Sequence, residues 1–294
     1  MDKKIIVITG ATASGKTKLS IKLAKKINAE IICADSRIVY KNLDIVSAKP
    51  TLEEQDGIIH HLIDILEPNI EFSAGDFTTL AKEKIKEVQN KKKNVIICGG
   101  TWFYIKSLLD EKALPECPIN QQLREELEKY DKQTLWEKLE KLDFKRAQLI
   151  HPNNKDKVIR SIEMCKFLGS PISEYQRKDN EKIDSIWYMP KIGRETLYNQ
   201  INLRVDEMIK LGLYEEWQKN KELYPNSKIM KNTIGYSEFY DLEEGIYSNK
   251  KEAIDKIKQY TRNFAKRQLT YFNNAKNIKS VENIDDILKD LKNA

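Results

Sequence analysis

Long apolar runs are missing from this sequence of 294 residues, and a third of its residues are charged. No run approaches the length that a membrane span needs, so no membrane partner is expected. The four cysteines lie far apart without a Cys-x-x-Cys pair, which disfavours both a disulfide framework and a zinc site. The chain enters an apolar stretch at once, without the pattern of a signal peptide. These absences predict buried free thiols and a cytoplasmic location.

Histidine is scarce as well, and the positive charge is unevenly spread. His60 and His61 are adjacent but have no cysteine or carboxylate at ligand spacing, which favours a structural role over metal binding. The net charge is +6, and residues 250–268 hold seven basic side chains against two acidic ones. Such clustering favours a polyanionic partner, although a solvated helix face explains the charge equally well.

Residues 10–17 (GATASGKT) match the P-loop pattern G-x-x-x-x-G-K-[ST]. Lys4–Thr9 before them is a predicted buried strand, and Lys18–Ile27 after them is a predicted helix. This context disfavours a glycine-rich turn that binds nothing. Backbone N–H groups in such a loop surround phosphate oxygens, the lysine adds positive charge, and the last hydroxyl ligates Mg²⁺. The predicted diphosphate-binding residues are Gly10, Ala11, Thr12, Ala13, Ser14, Gly15, Lys16 and Thr17, with Thr17 as the metal ligand.

Polar residues follow two further predicted strands. Glu30–Ala34 leads into Asp35, and Asn94–Cys98 leads into Gly99-Gly100-Thr101. Ligands of parallel sheets bind beyond the carboxyl ends of the strands, so Asp35 is expected to face the P-loop ligand; a turn-forming or capping role is the alternative. P-loop proteins that hydrolyse nucleotides hold magnesium with an aspartate at a strand end. The strand at Asn94–Cys98 offers none, which counts against a plain nucleotide hydrolase.

The sequence predicts an α/β fold with a P-loop-type, mostly parallel sheet core flanked by helices and an all-helical insertion domain. Residues 115–181 form the predicted insertion, because they are highly charged and nearly all helical in pattern. Residues 1–114 and 182–294 form the predicted catalytic core. Within the insertion, Lys157 and Arg160 lie three residues apart, on one face of a predicted helix.

One long helix is predicted for Lys250–Phe272. Its basic residues lie mostly away from a predicted apolar face, and Arg262 and Arg267 flank that face. The predicted apolar face consists of Ile254, Ile257, Thr261, Phe264, Leu269 and Phe272.

Taken together, the motifs resemble one family, the bacterial-type tRNA dimethylallyltransferases. Three departures from the family pattern stand out: Ala11 replaces a proline, Ile38 replaces a glutamine, and Val46-Ser47 replace Gly-Thr. No cysteine–histidine zinc module follows the core, which argues against the eukaryotic type. The resemblance rests on GATASGKT at Gly10, ADSRIVY at Ala34, SAKP at Ser47, HHLIDI at His60, CGGT at Cys98, HPNN and VIR from His151, LYNQINLRVDEM at Leu197, IGYSE at Ile234 and TRNFAKRQLTYF at Thr261.

The resemblance implies transfer of a dimethylallyl group from its diphosphate to the exocyclic amine of an adenosine just 3′ of a tRNA anticodon. Lys16, Mg²⁺ near Thr17, Arg204 and Arg262 would neutralise the leaving diphosphate. Asp35 would accept the amine proton, and Thr101 resembles the family threonine beside the bridging oxygen. The positions implied to contact tRNA are Asp35, Ser36, Arg37, Ile38, Thr101, Arg124, Lys157 and Arg160.

Two other functions remain open at this stage. A small-molecule P-loop kinase would use ATP in the same cradle and bring lid arginines to the phosphate, and the helix around Lys155–Arg160 resembles such a lid. A non-catalytic RNA-binding nucleotide switch would bind GTP or ATP and tolerate loss of Asp35. The tRNA anticodon loop and dimethylallyl diphosphate are the expected partners of the transferase, and a monomer is expected.

Overall fold

The computed structural model describes residues 5–109, 117–175, 183–275 and 277–293. The chain divides into two compact units. One consists of residues 1–109 and 183–294 and contains the sheet; the other consists of residues 110–182. The boundaries predicted near residues 114 and 182 lie outside the described residues.

Within the part of the chain that the structure describes, six parallel strands form one sheet in the order β3-β2-β4-β1-β5-β6. The predicted α/β fold is therefore confirmed, as are the strand bounds Asn94–Cys98. The last strand, from Ile278 to Val281, was not expected from the sequence. The strands are β1 (Ile5–Ile8), β2 (Ala29–Cys33), β3 (His60–His61), β4 (Asn94–Cys98), β5 (Ser185–Pro190) and β6 (Ile278–Val281).

Helices surround the sheet and make up the second unit. Several begin with a side-chain cap; Ser73 and Asp76, for example, form a reciprocal capping box. No helix among the described residues is long and apolar enough to cross a membrane. The helices are α1 (Lys16–Ile27), α2 (Leu52–Gln55), α3 (Ala74–Asn90), α4 (Trp102–Leu109), α5 (Gln121–Glu128), α6 (Lys132–Leu142), α7 (Phe144–Ala147), α8 (Lys155–Leu168), α9 (Arg194–Lys210), α10 (Leu213–Leu223), α11 (Lys228–Lys231), α12 (Ser237–Glu243), α13 (Lys250–Asn274) and α14 (Ile284–Lys292), with a 3₁₀ turn at Ile172–Glu174.

Both faces of the sheet are covered, and strand β1 shows how. Its four residues are all buried, and alternate side chains point to opposite faces. Ile5 and Val7 join an apolar cluster with α3 and α4, whereas Ile6 and Ile8 join one with α1 and α14. The continuous apolar run of β1 is thus the pattern of a strand buried on both faces.

Helices α9 and α13 pack against the loop that follows β1. Ala11 and Ala13 of that loop share a cluster with Leu197 and Ile201 of α9 and with Ala265 of α13. The small side chains allow the helices to approach the loop backbone closely. The loop is therefore supported from the C-terminal half of the chain.

The buried face of α13 differs from the predicted one. Phe264 is 37% exposed, whereas Gln268 is only 6% exposed. Ala253 and Ala265, which a search for large apolar residues passes over, are fully buried. The prediction was wrong for Phe264 and right for Ile257 and Phe272, which are buried. It passed over the alanines and Gln268 because small residues and a hydrogen-bonded amide also meet the neighbouring elements.

The unit of residues 110–182 has a core of its own. Its apolar cluster includes Leu127 of α5, Leu135 and Leu139 of α6, and Ile159 and Ile162 of α8. Asp143 caps α7 and also accepts hydrogen bonds from the backbone N–H and hydroxyl of Ser173. These contacts tie the 3₁₀ turn to the helices of the same unit.

Candidate active site

The P-loop connects β1 to α1 through an unusual backbone path. Gly10 has a φ of 134° and Gly15 a φ of 86°, a region that favours glycine. Gly15 is the residue before α1, and no side chain caps that helix. The first turn also holds no acidic residue. Its N-terminal N–H groups and the positive end of the helix dipole therefore form a site for an anion.

Ser14 supplies a second sign that this loop expects a ligand. The Oγ atom of Ser14 is buried and has no hydrogen-bond partner among the described residues. A buried hydroxyl without a partner is costly, and a phosphate oxygen in the cradle would satisfy it.

The Lys16 ammonium is the main positive charge at the loop. Its Nζ donates a hydrogen bond to the carbonyl of Ala11 at 2.6 Å, and no carboxylate of the described residues forms an ion pair with it. Burial lowers the pKa of Lys16 to about 8; nearby Cys98 and Asp35 oppose the shift, and the positive charge of Arg204 adds to it. Arg204 and Asp35 therefore both lie within electrostatic range of Lys16.

Two strand ends, those of β2 and β4, lie beside the P-loop. The Asp35 carboxylate follows β2 and accepts a hydrogen bond from the Arg37 backbone N–H at 2.8 Å, which is the turn-forming contact given above as the alternative to a ligand-facing role. Thr101, which follows β4, accepts a hydrogen bond through its hydroxyl from the Ser36 N–H at 3.1 Å. Gly99 must lack a side chain, because a Cβ there would lie 2.0 Å from the Ala34 carbonyl oxygen.

The two predicted core arginines differ in their surroundings. Arg204 of α9 is near Lys16, and burial lowers its own pKa. Arg262 of α13 donates to the Oδ1 of Asn202 at 2.5 Å, beside a polar cavity of about 500 Å³ between α9 and α13. No contact among the described residues links Arg262 to the P-loop, so its diphosphate role stays a prediction.

Two of the residues expected to contact tRNA are held by the core itself. The guanidinium of Arg37 donates to the carbonyl oxygens of Ser36 and Asn232. Ile38 is nine-tenths buried and belongs to the apolar cluster of α1 and α14. The Ile38 side chain packs inward in this structure, so its contact with tRNA stays a prediction without a supporting observation.

In the other unit, the basic residues expected to contact tRNA also differ in their surroundings. The Arg124 guanidinium binds the buried Glu163 carboxylate in a two-pronged pair, at 3.1 Å from Nε and 3.0 Å from Nη2. Arg160 binds the same carboxylate and the carbonyl of Cys117. Lys157 is exposed. Both residues lie on α8, three apart as predicted, but the Arg160 guanidinium is paired with Glu163, whereas Lys157 has no such partner among the hydrogen bonds and ion pairs of the described residues. Their contacts with tRNA stay predictions.

Sequence reasoning missed Gln268 and Glu163. The side chain of Gln268 bonds to the backbone of the P-loop and of the segment after β4, and Glu163 neutralises two arginines. Both are polar residues on helices, and their residue types alone predict that they face solvent. Only the partners, which lie far away in sequence, reveal their positions.

The site combines a P-loop joined to a parallel sheet, a carboxylate after a strand, a lysine from α1 and an arginine from α9. This combination is typical of an α/β protein that binds a diphosphate or a larger phosphate ester. No group of three or more histidine, cysteine, aspartate or glutamate side chains suited to a metal occurs among the described residues. The oxygen donors present, the Thr17 hydroxyl and the Asp35 carboxylate, suit a hard ion that keeps most of its waters.

Comparison with known proteins identifies the family. A sequence model of the IPP transferase family matches residues 38–275. A tRNA dimethylallyltransferase of Anoxybacillus flavithermus is 40% identical over 292 residues, which cover 98% of this chain and 93% of that protein. One from Ligilactobacillus salivarius is 42% identical over 98% of this chain and 97% of its own. The chain belongs to the tRNA dimethylallyltransferase family.

Solved structures agree with this assignment. A tRNA isopentenylpyrophosphate transferase from Bacillus halodurans superposes with a TM-score of 0.73 at 37% identity, covering 99% of this chain and 95% of that one. A eukaryotic dimethylallyltransferase acting on tRNA superposes with a TM-score of 0.79 at 30% identity, covering 92% of this chain and 70% of that one. The chain is thus a prenyltransferase in fold and family, and the predicted resemblance is confirmed.

Proposed function

We infer that this enzyme transfers a dimethylallyl group from dimethylallyl diphosphate to the N6 amine of the adenosine 3′-adjacent to the anticodon of a tRNA. The observation that carries this assignment is the meeting of Lys16, Asp35 and Thr101 at adjacent strand ends. A phosphate cradle there faces a carboxylate and a hydroxyl, with no aspartate at the end of β4 to serve nucleotide hydrolysis.

The P-loop binds the diphosphate, and its charges act on the leaving group. N–H groups at the start of α1 and the Lys16 ammonium hold the phosphate oxygens, and Arg204 adds positive charge. Negative charge grows on the diphosphate as the carbon–oxygen bond breaks, so these groups bind the transition state more tightly than the ground state.

Thr101 is suited to donate a hydrogen bond to the bridging oxygen. Its Oγ1 already accepts one from the Ser36 N–H, so the hydroxyl proton points away from that contact and is available to the substrate. Such a bond stabilises the oxygen that takes the electron pair of the broken bond.

Asp35 is suited to receive the proton of the amine. The N6 nitrogen forms a bond to the dimethylallyl carbon that carries the diphosphate. The bond between that carbon and the diphosphate oxygen breaks, and diphosphate leaves with the electron pair. The nitrogen then loses a proton to the carboxylate. The turn at Asp35 and Arg37 holds that carboxylate at the end of β2.

Mg²⁺ is proposed as the metal, held by the Thr17 hydroxyl. When bound, it would shield the charge of the diphosphate. The exposed position of Thr17 at the start of α1 supports this assignment.

For the tRNA, the target adenine must leave the stack of the anticodon loop to reach the strand ends. We assign residues 115–181 to tRNA contact and residues 1–114 and 182–294 to catalysis. The exposed Lys157 supports the first assignment, and the turn of Ser36 and Arg37 beside Asp35 supports a base contact at the core. A tRNA substrate also favours the cytoplasm.

One assay tests the function. The enzyme is incubated with bulk tRNA, dimethylallyl diphosphate and Mg²⁺, and the digested nucleosides are analysed for N6-dimethylallyladenosine. Its appearance, dependent on all three components, is the expected result. Turnover of ATP with a small acceptor, or nucleotide binding without any tRNA product, would replace the proposal with a kinase or a nucleotide switch.

A further inference from the structure

Gln268 is a polar side chain in the interior of the core, and the proposed mechanism gives it no role. It lies on α13 and is 6% exposed. Its neighbours Lys266 and Arg267 are exposed, as expected for a charged helix. A buried amide is stable only when both of its ends are bonded.

Both ends of the Gln268 amide are bonded to backbone at the candidate active site. Its Oε1 accepts a hydrogen bond from the Thr12 N–H at 2.8 Å, and its Nε2 donates one to the Gly100 carbonyl at 2.9 Å. Thr12 belongs to the P-loop, and Gly100 immediately precedes Thr101. One side chain thus spans the segments that follow the adjacent strands β1 and β4.

Close packing leaves this side chain little freedom. A Cβ on Gly100 would lie 2.3 Å from the Nε2 of Gln268, so the glycine makes room for the amide. Ala265, three residues earlier on α13, packs against Ala11 and Ala13 of the same loop. The helix and the P-loop therefore meet along a continuous contact.

The bond to Thr12 also determines which N–H groups face a ligand. Because Gln268 takes the Thr12 N–H, that group points to α13, while the Gly15 end of the loop opens onto the anion site. The bond to the Gly100 carbonyl holds the segment that carries Thr101, because Thr101 is the next residue. The Thr101 hydroxyl in turn accepts a hydrogen bond from the Ser36 N–H.

We propose that Gln268 is a positioning residue that holds the P-loop and the Thr101 segment at a fixed separation. The proposal rests on the proposed function: the P-loop holds the diphosphate and Thr101 meets its bridging oxygen, so their separation determines whether both act on one leaving group. Displacement of such groups by about 1 Å costs on the order of 10²-fold in rate.

Two variants test the proposal. Gln268→Met keeps the length and removes both hydrogen bonds. Gln268→Glu keeps the acceptor for Thr12 but, when ionised, cannot donate to the Gly100 carbonyl; when protonated, it can make both bonds. Gln218→Glu is the matched control, because Gln218 is exposed on α10 and is remote from the strand ends in sequence.

We measure single-turnover rates with saturating tRNA and dimethylallyl diphosphate, and in separate experiments the KM for each of these two substrates. For Gln268→Met, we expect the rate to fall about 10- to 100-fold with KM for the diphosphate changed by less than about threefold. For Gln268→Glu, the rate relative to the parent at the same pH should rise as the pH is lowered. Thermal denaturation identifies any variant that has lost its fold.

Deuterium uptake by the peptide containing residues 10–17 gives a readout that needs no activity. It should be faster in Gln268→Met than in the parent, and unchanged in Gln218→Glu. Parent-like uptake together with a parent-like rate, or a Gln268→Glu ratio that stays flat with pH, would overturn the positioning role. A parent enzyme that modifies no tRNA would contradict the proposed function instead, while the uptake comparison would still decide whether Gln268 holds the loop.

Discussion

At the scale of single residues, the candidate active site brings together positive charges that their surroundings make unfavourable. The Lys16 ammonium is buried next to the positive Arg204, and both carry lowered pKa values. Such a site favours an incoming anion, because a bound diphosphate relieves the repulsion between the cations. Asp35 tempers the repulsion in the free enzyme without forming an ion pair with Lys16.

The exchange Asp35→Asn keeps the shape of the side chain and its hydrogen bond to Arg37 but removes the base. We expect the single-turnover rate to fall by about 10²–10⁴-fold, with affinities for diphosphate and tRNA close to those of the parent. Rates and both affinities are measured across a series of Mg²⁺ concentrations. Restoration of turnover by added Mg²⁺ would show that Asp35 acts through the metal and not as a base.

The low pKa of Lys16 predicts a pH effect. The ammonium is charged below its pKa of about 8 and loses its proton as the pH rises through that value. We therefore expect kcat/KM for dimethylallyl diphosphate to fall above about pH 8, because the neutral amine binds phosphate poorly. Lys16→Arg keeps the charge at that pH, so the fall should disappear from its profile. The same alkaline fall in both enzymes would assign it to another group.

At the scale of secondary structure, elements with strong local signals were predictable and those defined by distant partners were not. The run NVIIC carries its own signal, and the strand predicted there is confirmed. β6 has a mixed, weakly apolar sequence and forms by pairing with β5. The P-loop motif likewise predicted its backbone path, whereas the buried amide of Gln268 depends on Thr12, 256 residues away.

Helix α8 carries basic residues in different surroundings, and Lys157 is an exposed one. Lys157→Ala should raise the dissociation constant of tRNA and reduce the slope of its salt dependence by about 1, as loss of one phosphate contact does. Binding of dimethylallyl diphosphate should not change. The measurement is tRNA affinity over a series of salt concentrations, and an unaltered slope would assign Lys157 to the solvated surface.

Arg160 is the basic residue of α8 that pairs with the buried Glu163. Burial alone would raise the pKa of Glu163, but hydrogen bonds from Arg124, Asn120 and Arg160 outweigh it and lower that pKa. Arg160→Ala removes one of these donors and should cost about 1–3 kcal/mol of stability. Because the lowered pKa stabilises the fold above the ordinary pKa of glutamate, the difference from the parent should shrink as the pH falls towards and below 4. Thermal denaturation of both proteins at pH 7 and pH 4 measures this, and an equal loss at both would contradict the ion-pair account.

At the scale of the whole molecule, the chain consists of two units with separate cores, and the candidate active-site residues of the sheet all belong to one of them. The second unit is inserted between α4 and β5. A change in its core should therefore act on tRNA binding without altering the phosphate cradle.

Leu135 is fully buried in the core of the second unit, and Leu135→Ala tests this separation. The exchange should cost about 2–5 kcal/mol in the stability of residues 110–182. Circular dichroism should show an earlier loss of helix on heating, and calorimetric titration with inorganic diphosphate at 25 °C should give the affinity of the parent. Loss of diphosphate binding in a protein that keeps its sheet would contradict the separation.

The strand order also has a consequence for synthesis on the ribosome. β1 and the P-loop emerge first, yet β1 lies between β4 and β5, and the loop is braced by a residue of α13. Until residue 190 has left the exit tunnel, one edge of β1 lacks its partner, and until residue 268 has followed, Thr12 lacks its acceptor. An N-terminal fragment released early would carry the complete P-loop motif with an unpaired strand edge, which is a target for aggregation and proteases and not a working phosphate site.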